Sequence, residues 1–388
     1  MTAHPSRLHI AILSCNYGGG HQRVAEVIAD ELRQRSPGCR VEIHDYIETC
    51  IGHWSNIAFS SLYFGSVRWT PCLYRWFYHA TGSISPASPV QRCINSLGKR
   101  RLAALLRMQR PDIVVCTYCL PAGVMSELKR RGRTDVPCVT VITDHAIHSQ
   151  WIHPGVDLYV VSSDHIRDGM AARGIAPDRV LSTGIPVSPA LGTPRDRQAL
   201  RRQYGLDPAL PTILVLVGAY NLMRGALDVY RSIVELPRPA QFLVVCGKDE
   251  RLRQAIEHLT RRLRVPVRVF GYVREIPELM AMSDLAISKA GGVTTSEALA
   301  AELPMVIVNP IPGQEEENSS FLQAVEAAIV APRPADLRNL IADLLDDPRR
   351  LARLRAGARR VKRPDAAARA AAAILSLTPG YALAAGEA

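Results

Sequence analysis

The chain has 388 residues, 47% of them hydrophobic and 21% charged, which supplies a sizeable core and suits two domains better than one. Its formal net charge of +11 points to an anionic partner, either nucleic acid or an anionic membrane, or serves solubility alone. No run of 18 apolar residues occurs and residues 1–7 lack the apolar core of a signal peptide, so a cytoplasmic protein without a transmembrane helix is expected.

Leu8–Ser14 reads as a strand, followed by Asn16-Tyr17-Gly18-Gly19-Gly20-His21 and a helix to about Arg35. Val24, Val27, Ile28 and Leu32 fall on one face of that helix, and Val41–Ile43 begins the next strand. Strand, glycine loop, helix and strand in this order form a Rossmann-like opening, although G-x-G-x-x-G itself is absent.

The pattern breaks between Thr49 and Pro111. Residues 54–78 hold nine aromatics, among them Trp54, Tyr63, Phe64, Trp69 and Trp76. Across Thr49–Pro111 there is no Asp or Glu but eight Lys or Arg, including Arg100, Arg101 and Arg107. Aromatic rings favour the membrane interface and basic side chains are drawn to anionic headgroups, so the segment reads as membrane-docking. The alternative is that the rings are core and the arginines a solvated face.

Asp112–Cys116 resumes the α/β pattern, and Cys138–Ile142 ends in Thr143-Asp144-His145, with His148, Trp151 and His153 close behind. Cys116 and Cys119 form a lone C-x-x-C among nine cysteines without a framework of spacings, which argues against zinc and for reduced thiols. Strands at Leu158–Ser162 and Val180–Thr183 follow, and Pro/Gly density from Gly184 to Pro194 marks a linker.

A second α/β series has strands at Thr212–Val217, Phe242–Cys246, Val267–Phe270, Leu285–Ile287 and Met305–Val308, with Gly218 after the first. Beyond Pro332 the chain reads as Ala/Arg-rich helix to about Leu377. The domains expected are therefore 1–188, 189–377 and a loose tail at 378–388. Two Rossmann-like halves place a ligand cleft between them, lined by strand ends.

Ser283–Asn318 is the most informative stretch. It runs strand, Gly291-Gly292, Thr294-Thr295-Ser296-Glu297, helix, strand and a Pro/Gly turn ending in Gln314-Glu315. A helix beginning after a glycine turn aims unpaired N–H groups at the loop, which suits a diphosphate. Glu297, about a turn in, could accept the two hydroxyls of a ribose. An ordinary βαβ turn without a ligand has the same spacing. In the first half, His21 at a helix start stands where a dinucleotide pyrophosphate would lie, which argues against a dehydrogenase and allows a general base or a plain capping residue.

These motifs together resemble the diacylglycerol glycosyltransferases, which include bacterial processive diacylglycerol glucosyltransferases and monogalactosyldiacylglycerol synthases. They are relatives of the N-acetylglucosaminyltransferase that completes lipid II. The resemblance spans about Leu8 to Pro332. It rests on Asn16–His21, Thr143-Asp144…His148…Trp151-Ile152-His153, Thr183-Gly184-Ile185-Pro186, Gly271-Tyr272-Val273, Lys289–Glu297 and Pro312–Asn318.

The resemblance implies a GT-B fold, with the first domain binding acceptor and membrane and the second a UDP-sugar. It assigns the uracil to Tyr272 and Val273, the ribose to Glu297, and the diphosphate to Gly291, Gly292, Thr294 and Thr295. Gln314 and Glu315 are assigned the sugar, with Gly20, Gly218 and Asn318 as further donor contacts. His21 is the implied base for direct, inverting attack on C1, with Asp144 second. The aromatic and basic residues named above, with His145 and Trp151, are implied acceptor or membrane contacts. D-x-D is absent, so no catalytic metal and no other cofactor are expected.

The implied reaction moves a hexose, by preference glucose, to diacylglycerol on the cytoplasmic face of the membrane. A UDP-galactose donor, another lipid acceptor and a UDP-sugar epimerase are the alternatives. Nucleic-acid binding would leave Glu297 and Gln314-Glu315 without a role.

Overall fold

The computed structural model describes residues 8–378 apart from 18, 54–60, 62–64, 67–68, 83, 86–87, 219–222, 224, 238, 262–264 and 332. Trp54, Tyr63 and Phe64 lie outside the described residues, as does the 378–388 tail beyond Thr378.

Among the described residues twelve strands form two sheets, each of six parallel strands. The first holds β1 (His9–Ser14), β2 (Arg40–Asp45), β3 (Ile113–Cys116), β4 (Cys138–Val141), β5 (Leu158–Val161) and β6 (Val180–Ser182), in the order β2-β1-β3-β4-β5-β6. The second holds β7 (Thr212–Leu216), β8 (Gln241–Val245), β9 (Val267–Phe270), β10 (Leu285–Ser288), β11 (Met305–Ile307) and β12 (Ala328–Val330), in the order β12-β11-β10-β7-β8-β9. Parallel strands need helical crossovers and are covered on both faces, which is why β1, β3, β4, β7, β8 and β10 are buried along their whole length. Several of the expected strands come out one residue shorter, and β12, three residues long, gives no usable period in the sequence.

Each sheet has its own apolar core. The first is built on residues such as Leu13, Val114, Met125 and Tyr159, the second on Ile213, Val229, Phe242 and Ile341. The Gly20–Arg35 helix buries Val24, Val27, Ile28 and Leu32, the stripe its spacing predicts, together with Ala25 and Ala29. Truncating one of the larger buried side chains to Ala is worth about 2–5 kcal/mol.

The main division of the chain falls between Val187 and Ser188, but the described residues from Asp365 to Thr378 belong with the first unit. A boundary at 377 assigns them to the second half and is corrected here. The Ala366–Leu375 helix presents Ala366, Ala367, Ala370, Ala371 and Ile374, small enough for close approach, and packs on the Gly20–Arg35 helix. Arg369 Nη2 adds a bond to the Ser182 carbonyl at 3.1 Å. Among the described residues no helix is long and apolar enough to cross a membrane.

Candidate active site

In the first unit the site grows from the end of β1. The turn after Ser14 reaches Gly19 at φ 82°, a left-handed conformation that costs a side-chain-bearing residue strain, and the helix opens at Gly20 without a side-chain cap. His21, its second residue, is thereby aimed at the carboxyl ends of the strands. Its Nδ1 lies 3.0 Å from Thr143 Oγ1, just past β4. The Tyr118 ring meets it edge-on at 5.2 Å and Trp151 stands at 6.1 Å.

Part of the His21 surface stays open, but packing round the ring pushes its pKa down to about 4, against the opposing pull of the Thr117 backbone. At neutral pH the imidazole is therefore uncharged and can take a proton. His145 is buried and shifted further down, to about 3, by the same desolvation. Asp144 is half-buried beside Cys119, and burial keeps that thiol protonated, with a pKa of about 12. Cys116 faces Cys138, not Cys119, with Sγ atoms 3.9 Å apart.

Trp151 is held by polar contacts that the sequence reading missed. It ends the Ser149–Trp151 turn, which His148 caps by accepting from the Gln150 N–H. His148 Nε2 donates to the Tyr78 carbonyl at 2.9 Å and Ser149 Oγ to the Thr81 carbonyl at 2.7 Å. A carbonyl only accepts, so Nε2 carries the proton and the ring is neutral, in keeping with its lowered pKa. Gln91 and Gln150 exchange amide bonds at 2.6 and 3.2 Å. A glutamine on a short helix gave the one available signal, and its partner is 59 residues away.

These contacts tie the Ser149–Trp151 turn to the Pro71–Gly82 helix, several of whose remaining side chains are exposed. Trp76 is 67% exposed, Leu73 59% and Phe77 56%, with Trp69 just before them at 76%. Arg75, Arg92, Arg100, Arg101 and Arg107 are exposed in the same stretch, as are Val90 and Met108. None of these described aromatics joins the core, which removes the core explanation for Trp69 and Trp76.

In the second unit the glycines collect at the carboxyl ends of the strands. Gly218 (φ 89°) follows β7, Gly247 (φ 62°) follows β8, Gly271-Tyr272 follow β9 and Gly291 follows β10. Tyr272 is 56% exposed, with Lys248 Nζ 5.7 Å from its ring centre, and Val273 is half-buried. The Gly292–Ala300 helix starts at Gly291 with no side-chain cap, which leaves its first-turn N–H groups for a ligand. Thr294 is half-buried at this end and Glu297 is 8% exposed. Gln314 opens the next helix.

Three donor assignments change. Thr295 is fully buried, and its hydroxyl donates to the Gly291 and Gly292 carbonyls at 3.0 and 2.9 Å, so it shapes the turn and has no proton left for a diphosphate. Asn318 is also fully buried, where Nδ2 holds the Ala290 carbonyl at 2.9 Å. Glu315 is 1% exposed, with one oxygen on the Lys289 ammonium and the other accepting from Ile311 N–H at 2.9 Å. Both of its oxygens already have protein partners and almost none of the residue is open to a sugar hydroxyl.

The comparisons with known proteins bear on both units. The family model for monogalactosyldiacylglycerol (MGDG) synthase matches residues 21–187, and that for glycosyl transferases group 1 matches residues 196–361. A processive diacylglycerol beta-glucosyltransferase of Bacillus cytotoxicus is 31% identical over 363 residues, covering 92% of this chain and 91% of its own. The chain belongs to the diacylglycerol glycosyltransferase family. It is a glycosyltransferase. Among solved structures, MurG of Acinetobacter baumannii matches with a TM-score of 0.62 at 18% identity, over 95% of this chain and 99% of its own. A UDP-GlcNAc 2-epimerase of Neisseria meningitidis bound to UDP-GlcNAc matches with a TM-score of 0.60 at 13% identity, over 95% and 100%. Two such neighbours agree on the GT-B fold and differ in activity, so it is the relatives, and not the fold, that separate transferase from epimerase.

Proposed function

We propose that this glycosyltransferase moves glucose from UDP-glucose to diacylglycerol, with inversion and without a metal ion, at an anionic membrane surface on the cytoplasmic side. The reading is carried by the match, over more than nine-tenths of the chain, to a relative named as a diacylglycerol beta-glucosyltransferase. The geometry of His21 and of the glycine turns is what supports the mechanism proposed.

The diacylglycerol hydroxyl binds to Nε2 of His21, while Nδ1–H donates to Thr143 Oγ1 and fixes the ring. His21 removes the hydroxyl proton as the oxygen attacks C1 of the glucose from the face opposite UDP. One C–O bond forms as the bond to the UDP oxygen breaks, turning an α-linked donor into a β-glucoside. Asp144 orients the acceptor or the base, and His145 and Trp151 line the approach of the glycerol backbone. Charge gathers on the departing diphosphate, which the first-turn N–H groups of Gly292, Val293 and Thr294 stabilise. Tyr272 and Val273 take the uracil, Glu297 the ribose and Gln314 the sugar.

Trp69, Leu73, Trp76 and Phe77 enter the headgroup region, while Arg100, Arg101 and Arg107 bind anionic headgroups. The rings bury apolar faces with their polar edges at the interface.

A second reading, with UDP-galactose as donor, is favoured by the MGDG synthase match at residues 21–187. The test is purified protein in excess EDTA with each nucleotide sugar separately and diacylglycerol in mixed micelles, with lipids resolved by mass spectrometry. Product from UDP-glucose is expected. Product from UDP-galactose alone selects the second reading, and activity that returns only on adding magnesium or manganese overturns the metal-free mechanism.

A further inference from the structure

Lys289 leaves β10 where that strand pairs with β7, Ser288 lying opposite Leu216. Its side chain runs through the space the two glycines leave open. Lys289 Cε is 3.4 Å from where a Cβ on Gly218 would stand, and Nζ is 3.2 Å from where one on Gly291 would stand. A side chain at Gly291 would press on the ammonium, so the chain is kept bare where this charge meets the turn.

Among the described residues the ammonium is held from one side only. Glu315 binds it through Oε1, and Oε2 is fixed by Ile311 N–H at 2.9 Å. The Glu315 backbone is secured in turn by Ser319 Oγ at 2.6 Å, and Asn318 ties the loop at Ala290. An ammonium has three donors and Glu315 takes one of them. The lysine side chain keeps 14% of its surface open, against 2% for the glutamate. Burying such a pair is costly, and packing alone would be served as well by apolar residues. What it supplies is a cation held at fixed position beside an uncapped helix end.

We propose that Lys289 is the cationic contact for the diphosphate of the donor, and that Glu315 positions that ammonium and does not touch the sugar. The inference rests on the reading of the second unit as the UDP-sugar site. The two Lys289 donors that no described residue takes bind phosphoryl oxygens, which approach closely because Gly218 and Gly291 have no side chains. The anion class is a nucleoside diphosphate, since the glycine turn, the helix end and the ammonium together match two linked phosphates.

The experiment compares UDP with uridine by displacement calorimetry. Lys289→Met is expected to weaken UDP about 10–100-fold, the range for a lost charge-assisted hydrogen bond, and to leave uridine unchanged. Because that variant strands a buried carboxylate, Lys289→Met combined with Glu315→Gln gives a neutral pair that keeps the fold, and the same selective loss is expected. Glu315→Gln alone removes an anion that competes for the ammonium, so UDP should bind at least as well as to wild type. A UDP-to-uridine ratio unchanged in both lysine variants overturns the role of Lys289. A Glu315→Gln variant that keeps UDP affinity but loses UDP-sugar affinity returns Glu315 to the sugar. Wild-type protein that binds UDP no better than uridine overturns the donor-site reading itself.

Discussion

His21 Nδ1 and Thr143 Oγ1 stand 3.0 Å apart, joining the start of one helix to the end of β4, 122 residues further on. This contact engages Nδ1 and leaves Nε2 as the nitrogen to which the proposed mechanism gives the acceptor. His21→Ala is expected to lower kcat by about 10²–10⁴-fold, the usual contribution of a general base, with UDP affinity near wild type. Thr143→Val should cost less, since the base remains and only its orientation is loosened. Steady-state kinetics with calorimetry on UDP checks both, and near-normal kcat in His21→Ala would move the base to Asp144.

Glu297→Ala is expected to weaken UDP by about 1–3 kcal/mol through loss of hydrogen bonds to a charged acceptor. Calorimetry showing equal UDP affinity in both proteins would remove Glu297 from the ribose.

Stability should fall as pH drops from about 6.5 toward 4.5. His21, His145 and His153 have folded-state pKa values of about 4, 3 and 4, all lowered chiefly by desolvation. The unfolded chain takes up their protons first, near 6.5, so it binds more protons in this window and unfolding is favoured as pH falls. Above 6.5 the contribution is fully present. Glu127, held down to about 2 by Arg130 and Arg131, acts only below about 4.5 and does not confuse the window. Urea denaturation between pH 5 and 7 should show this slope, reduced by about one proton in His153→Asn. A flat profile would contradict the burial of these rings.

Changing Arg100, Arg101 and Arg107 together to Glu should weaken binding to phosphatidylglycerol-containing vesicles by at least about 3 kcal/mol, at about 1 kcal/mol per basic residue. Wild-type binding should also fall as salt screens charge beyond a Debye length of about 8–10 Å. UDP affinity should not change. Co-sedimentation indifferent to lipid charge and to the triple change would leave these arginines a solvated face.

Much of this molecule was legible in its sequence because parallel strands buried on both faces read as plain apolar runs, and glycine turns mark their ends. The His21 turn and the Gly291 turn both came from local pattern. What stayed hidden depends on partners far along the chain. Glu315 reads as a loop carboxylate available to a sugar until Lys289, 26 residues earlier, is seen beside it. Thr295 reads as a hydroxyl at a helix start, and only the turn geometry directs it inward. The return of Ala366–Leu375 to the first unit has no local signature, because an alanine face fits any close-packed helix.

The most direct test of the account is the anomeric configuration of the lipid formed from UDP-glucose and diacylglycerol in EDTA, read from the anomeric proton by NMR. Single-step attack assisted by His21 predicts a β-glucoside, and the signal should be lost with His21→Ala. An α-linked product, or no glucosyl-diacylglycerol from wild-type protein, would contradict it.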